Sequence, residues 1–149
     1  MSREPKWISG IAALAIHELL LAEHGGAEGL IDEGRLDAAL ASPRNHFAYR
    51  ERDIFRLAAA YAHAVARDHP FKDGNKRVDL TLAGVFLELN GYHLQADEAD
   101  AVSATLALST REIDEVGFAS WLRSASQKMP AKTKVSKAAV RPRAPARKK

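Results

Sequence analysis

The sequence predicts an all-α protein: a compact single-domain bundle of about six helices over residues 1–127, followed by a disordered basic tail over 128–149. Three observations predict it. Apolar residues recur at helical spacing, most clearly at Ile54, Leu57, Ala58, Tyr61, Ala62 and Val65. The apolar segments tend to open on Ser or Asp, and several close on Gly or Pro. Only Tyr92-His93-Leu94 looks extended, and it is too short for a sheet.

The elements follow in order. SGIAALAIHELLLAEH opens on Ser9 as an N-cap and stops at Gly25 and Gly26; being apolar almost all round, it is expected to be the buried central helix or to lie between others. GGAEGLIDEG reads as a loop, and Asp32 then caps a short helix that Pro43 is expected to end. RNHFAYRER reads as a second loop. Asp53 caps the amphipathic Ile54 helix, which cannot pass His69 because Pro70 pushes the residue before it out of helical geometry. Val78, Leu82, Val85, Phe86 and Leu89 mark the next helix, with Gly91 at its end. Asp97 and Asp114 start the last two, carrying Val102 and Leu106, then Phe118, Trp121 and Leu122.

Composition narrows the class. A content of 46% hydrophobic and 28% charged residues is that of a soluble globular domain. No apolar run approaches the ~18 residues of a membrane span, and the start lacks a secretory pattern. The absence of cysteine removes disulfides, thiolate metal sites and cysteine nucleophiles, and fits a cytoplasmic protein. The net charge of +3 hides an asymmetry: nine Lys or Arg and no acid fall in 128–149, leaving 13 basic against 19 acidic residues in 1–127. Such a tail has two readings: weak contact with nucleic acid, or an extension that only aids solubility.

Chemistry concentrates in HPFKDGNKR, His69 to Arg77, between two helices. The N–H groups opening the second helix lack intrahelical partners and favour an anion; Gly74 lets a ligand approach the backbone. Lys76 and Arg77 are cations at the wrong end of a helix unless an anion such as a phosphate chain binds there. Asp73 beside phosphates calls for a bridging Mg²⁺, and His69 can take a proton near neutral pH. A plainer reading stands beside this one. His69 then caps a C-terminus, Asp73 and Asn75 serve the turn, and Lys76 and Arg77 form a solvated face.

HPFKDGNKR resembles the signature of the Fic/Doc superfamily, His-x-Phe-x-Asp/Glu-Gly/Ala-Asn-Lys/Gly-Arg. GLIDEGRLDAALASP (29–43) and VFLELNGY (85–92) are similar to segments flanking that signature in the death-on-curing (Doc) branch. The resemblance implies a toxin kinase that carries the γ-phosphate of ATP to a threonine hydroxyl of elongation factor Tu, arresting translation. It implies His69 as catalytic base, Asp73 as Mg²⁺ ligand, and Phe71, Gly74, Asn75, Lys76 and Arg77 as the ATP-binding set. A Phd-type antitoxin is the implied partner. The AMP-transferring Fic branch carries Gly at the place of Lys76 and a second Arg at the place of Leu80, so both positions favour the Doc branch. Pro70 and Gly74 are closer to Fic, and Asp79 is an unexpected acid inside the helix. AMP transfer to a protein hydroxyl, or a degenerate binding module, are therefore the alternatives.

Other residues carry less. His17 and His24 do not match a zinc spacing, His63 reads as structural, and His46 and His93 say nothing alone. Arg44, Arg50, Arg52 and Arg56 form a basic cluster, read as a solvated face or a docking surface.

Overall fold

The computed structural model describes residues 4–130, which form six helices and one two-stranded ribbon. In chain order these are α1 (Gly10–His24), α2 (Glu33–Ala48), α3 (Ile54–Asp68), α4 (Asn75–Leu89), β1 (Tyr92–Leu94), α5 (Glu98–Ser109), α6 (Glu115–Ser124) and β2 (Ser126–Lys128). The all-α class stands. Local caps set most starts. The Ser9 hydroxyl accepts from Ala12 N–H at 3.1 Å, and the carboxylates of Asp32, Asp53, Asp97 and Asp114 accept from Gly34, Phe55, Asp100 and Gly117 at 2.8–2.9 Å.

The centre of the bundle is α3, not α1. Nine of its residues are buried, including Ala58, Ala59, Ala60, Tyr61, Ala62 and Ala64, and α4, α2 and α6 pack around it. A helix lined with alanines on several faces can be approached closely from all of them, which a helix of leucines cannot. The more apolar α1 buries only Ala13 and His17, leaving Ile11 83% and Leu19 68% exposed. The expectation that α1 is the central helix is overturned.

Two further expectations are corrected. Pro43 does not end α2, which runs on to Ala48 and takes up part of the stretch read as a loop. An interior proline costs about 3 kcal/mol in a free helix. Here Pro43 is fully buried, and one turn later Phe47 packs edge-on against Trp7 at 5.7 Å. Burial of these side chains offsets the missing hydrogen bond. Residues 92–94 do form a strand, paired antiparallel with β2 so that Tyr92 faces Lys128 and Leu94 faces Ser126. That partner lies over thirty residues away and is invisible to local pattern.

The N-terminal segment seals one end. Trp7 also stacks on Phe86, Ile8 N–H donates to the buried Tyr61 hydroxyl at 3.0 Å, and Asn90 binds both backbone groups of Lys6. The basic cluster is largely absorbed into packing: Arg44 lies over Trp7, Arg52 over Phe47, and Arg56 pairs with Glu51. His46 and His63 reach one carboxylate, that of Glu115, at 2.9 and 3.5 Å, joining α2, α3 and α6. Among the described residues no helix is long and apolar enough to cross a membrane. Lys128 lies in β2 and Met129 N–H donates to Gly91 O at 2.9 Å; the rest of the tail expectation, from 131 on, lies outside the described residues.

Candidate active site

The loop joining α3 to α4 is built by one strained residue and one buried ring. His69 is the C-cap of α3 in the left-handed conformation, φ 47° and ψ 61°, a geometry that costs a non-glycine residue on the order of 1–2 kcal/mol. It turns the chain sharply, so that Pro70 and Phe71 enter the core while His69 stays exposed. Strain of this kind collects at functional loops. The Phe71 side chain is 1% exposed, and Asn75 clips its backbone: Asn75 Oδ1 accepts from Phe71 N–H at 3.1 Å and Asn75 Nδ2 donates to Phe71 O at 2.8 Å. Both residues thus act on the loop itself, fixing the path that presents the others.

Segment 29–31 lies antiparallel against the motif. Ile31 N–H donates to Pro70 O at 2.7 Å and Lys72 N–H to Gly29 O at 3.0 Å. Just before it, the chain closes on Asp73, whose Oδ2 accepts from Ala27 N–H at 3.2 Å and whose Oδ1 accepts from Gly74 N–H at 2.9 Å. A Cβ on Gly26 (φ +126°) would stand 2.8 Å from Asp73 Oδ2. Gly26→Ala is therefore expected to displace that carboxylate. A misplacement near 1 Å costs up to about 10²-fold in rate, to be read in a turnover assay while circular dichroism stays unchanged.

At α4 the pattern of the other helices breaks. Its N-cap is Gly74, φ +82°, and no side chain caps it. No acid stands in its first turn, and the exposed Lys76 and Arg77 make no ion pair with a described residue. Free N–H groups and two cations share one helix start, with Asp73 at its mouth and His69 across the loop. The donors suit a phosphate chain.

The donor set also fits a hard cation. Asp73 offers a surface carboxylate, and no cluster of three or more metal-ligating side chains occurs among the described residues. A hard cation held here would need further oxygens from a ligand and water, as Mg²⁺ has beside phosphates.

A family model, the Fic/DOC family, matches residues 7–87, a span running from Trp7 through the whole of this loop. The chain belongs to the Fic/DOC family. It is 35% identical over 117 residues to a protein named protein kinase doc from Escherichia phage P1, covering 78% of this chain and 92% of that one. It is 40% identical over 77 residues to a protein named toxin Doc from Mycolicibacterium smegmatis, covering 49% of this chain and 58% of that one. The Doc-branch resemblance of the sequence is thereby supported.

Two site features escape sequence reasoning. His17, 4% exposed on α1, stacks on Phe71 with centroids 3.9 Å apart and contacts Asp73 O through Nε2 at 2.9 Å. The Ala27 N–H is a backbone group without any residue signature. Asp79, the unexpected acid, points into the core at 1% exposure, so it stands apart from the loop. A cleft of ≈ 650 Å³ adjoins the motif between α1 and segment 26–30, walled by Leu14, His17, Leu21, Leu30 and Phe71. A cleft of similar size at the far end of α3 has its Arg52 and Arg123 laid on aromatic faces and contains no motif residue.

Proposed function

We propose that this protein is a Doc-type toxin, a transferase that moves the γ-phosphate of ATP to a hydroxyl of a protein acceptor. The observation that carries the reading is the uncapped start of α4, where free N–H groups, Lys76 and Arg77 meet the Asp73 carboxylate and an exposed His69. The relatives named protein kinase doc and toxin Doc support the same class.

In this reading the α4 N–H groups, with Lys76 and Arg77, would hold the phosphates, and Asp73 would hold Mg²⁺. When bound, the cation would neutralise phosphate charge. His69 accepts the proton of the acceptor hydroxyl at an imidazole nitrogen as its oxygen bonds to the γ-phosphorus and ADP leaves. Phe71 and Asn75 fix the loop so that these groups stay in register. The neighbouring cleft mixes apolar side chains with Glu18 and Glu28 and has no lysine or arginine in its lining, so it suits a stretch of polypeptide better than phosphate. A threonine of elongation factor Tu is the proposed acceptor, translation arrest the consequence, and a Phd-type antitoxin the proposed partner.

Incubation with a cell extract and ATP labelled at either the α or the γ position tests the reaction. Label transferred from the γ position alone is the expected result. Label transferred from the α position alone identifies AMP transfer instead, because the γ-phosphate then leaves within pyrophosphate. Nucleotide binding without transfer of either label identifies a binding module.

A further inference from the structure

We propose that His17 is a positioning residue for the nucleotide site, acting through the main chain of Asp73. This rests on the reading of Asp73 and the α4 start as that site. A carbonyl oxygen only accepts, so the 2.9 Å contact between His17 Nε2 and Asp73 O puts a proton on Nε2. The ring is held flat on Phe71, 15° from parallel, and Phe71 is clipped by Asn75. The ring's other neighbour is Gly74: a Cβ placed there would fall 3.7 Å from Nε2. One imidazole thus braces three consecutive parts of the loop: the Phe71 ring below it, the Asp73 peptide at its tip, and the first cap of α4 at its edge.

The arrangement sets the orientation of two functional groups together. The peptide whose oxygen His17 holds is the one whose N–H belongs to Gly74, and that N–H donates to Asp73 Oδ1 at 2.9 Å. Rotating this peptide would turn the Asp73 carboxylate and tilt the open end of α4 in one motion. A buried histidine on a neighbouring helix is a stiff brace, because both its ring plane and its donor are engaged. Histidine meets both demands at once, an aromatic face and an N–H at its far end. Phenylalanine supplies only the face, and glutamine only the donor.

That division defines the test. His17→Phe keeps the stack and removes the donor; His17→Gln keeps the donor and removes the stack. Each variant is measured for thermal midpoint, Mg·ATP dissociation constant, kcat and KM separately, and amide hydrogen exchange across 74–77. The expected result is a folded His17→Phe protein whose Mg·ATP affinity falls about tenfold, the size of one lost hydrogen bond, with faster exchange at Gly74 and Asn75. His17→Gln is expected to stay within about threefold of the parent in affinity. Parent-like binding and exchange in His17→Phe overturns the proposal, as do losses in both variants that merely track their thermal midpoints. If the parent itself binds no Mg·ATP, the functional reading fails separately, and the exchange data decide the brace alone: unchanged exchange at Gly74 and Asn75 in His17→Phe rejects it.

Discussion

Replacing His69 by alanine is expected to lower phosphoryl transfer by about 10²–10⁴-fold, the usual effect of removing a general base. The fold should survive. His69 is exposed, and only its backbone serves α3, where its N–H caps the Val65 carbonyl at 2.9 Å. Alanine does pay more than histidine for the left-handed geometry, so His69→Asn is the better-matched second variant, asparagine tolerating that region well. Both variants should bind Mg·ATP as the parent does, because the phosphates are assigned to the α4 start and the cation to Asp73. A loss confined to kcat supports the base assignment. Unimpaired turnover in both variants would reject it, and a loss of nucleotide affinity alone would assign His69 to binding.

Stability should fall as pH rises from about 5 to 8, and Asp79 is the reason. The carboxyl is 1% exposed, and neither oxygen makes a well-formed hydrogen bond, although the Leu80 N–H lies near. Burial pushes it up to about 8, with the Leu80 N–H and Lys76 opposing only in part. The folded chain therefore keeps a proton that the unfolded chain releases near pH 4. The stabilisation is complete below that pH and is lost as pH climbs through the folded value, with a slope of at most about 1.4 kcal/mol per unit. Asp79→Asn, of equal size and without charge, should flatten this dependence. Asp79→Ala removes an unpaired buried group, a change worth about 1–3 kcal/mol, and should stabilise the protein most at pH 8. Denaturant unfolding at pH 5, 6, 7 and 8 reads both effects. Parallel curves for parent and Asp79→Asn would show that the carboxyl finds a partner or water in solution.

Asp79 is buried beneath α4 and does not enter the motif loop, although Lys76, three residues before it, acts on its charge. It occupies the face of α4 that carries Val78, Leu82 and Phe86 into the core, whereas Lys76 and Arg77 stand exposed a turn earlier. A helix separates neighbouring residues by about 100°, so an acid two positions after Arg77 points away from it and into the core.

The starts of five helices were legible in the residues alone, because a cap is a contact between residues two or three apart. Ser9, Asp32, Asp53, Asp97 and Asp114 each bind a backbone N–H within their own first turn. Equally legible were the end of α3 and the place of the motif loop, since Pro70 acts on its immediate neighbour and the nine motif residues are contiguous. Only the tertiary structure decided the rest. Pro43 ends a helix in isolation, yet continues one where its own burial and that of Phe47 outweigh the lost bond. The apolarity of α1 suggested the centre, but small side chains on α3 admit neighbours on every side. Strand β1 waits for a partner from 126–128. The brace on Asp73 comes from His17, 56 residues away, and its latch from Ala27, 46 residues away. Separations of that size carry no periodicity to read; chain packing alone brings those groups within hydrogen-bond reach.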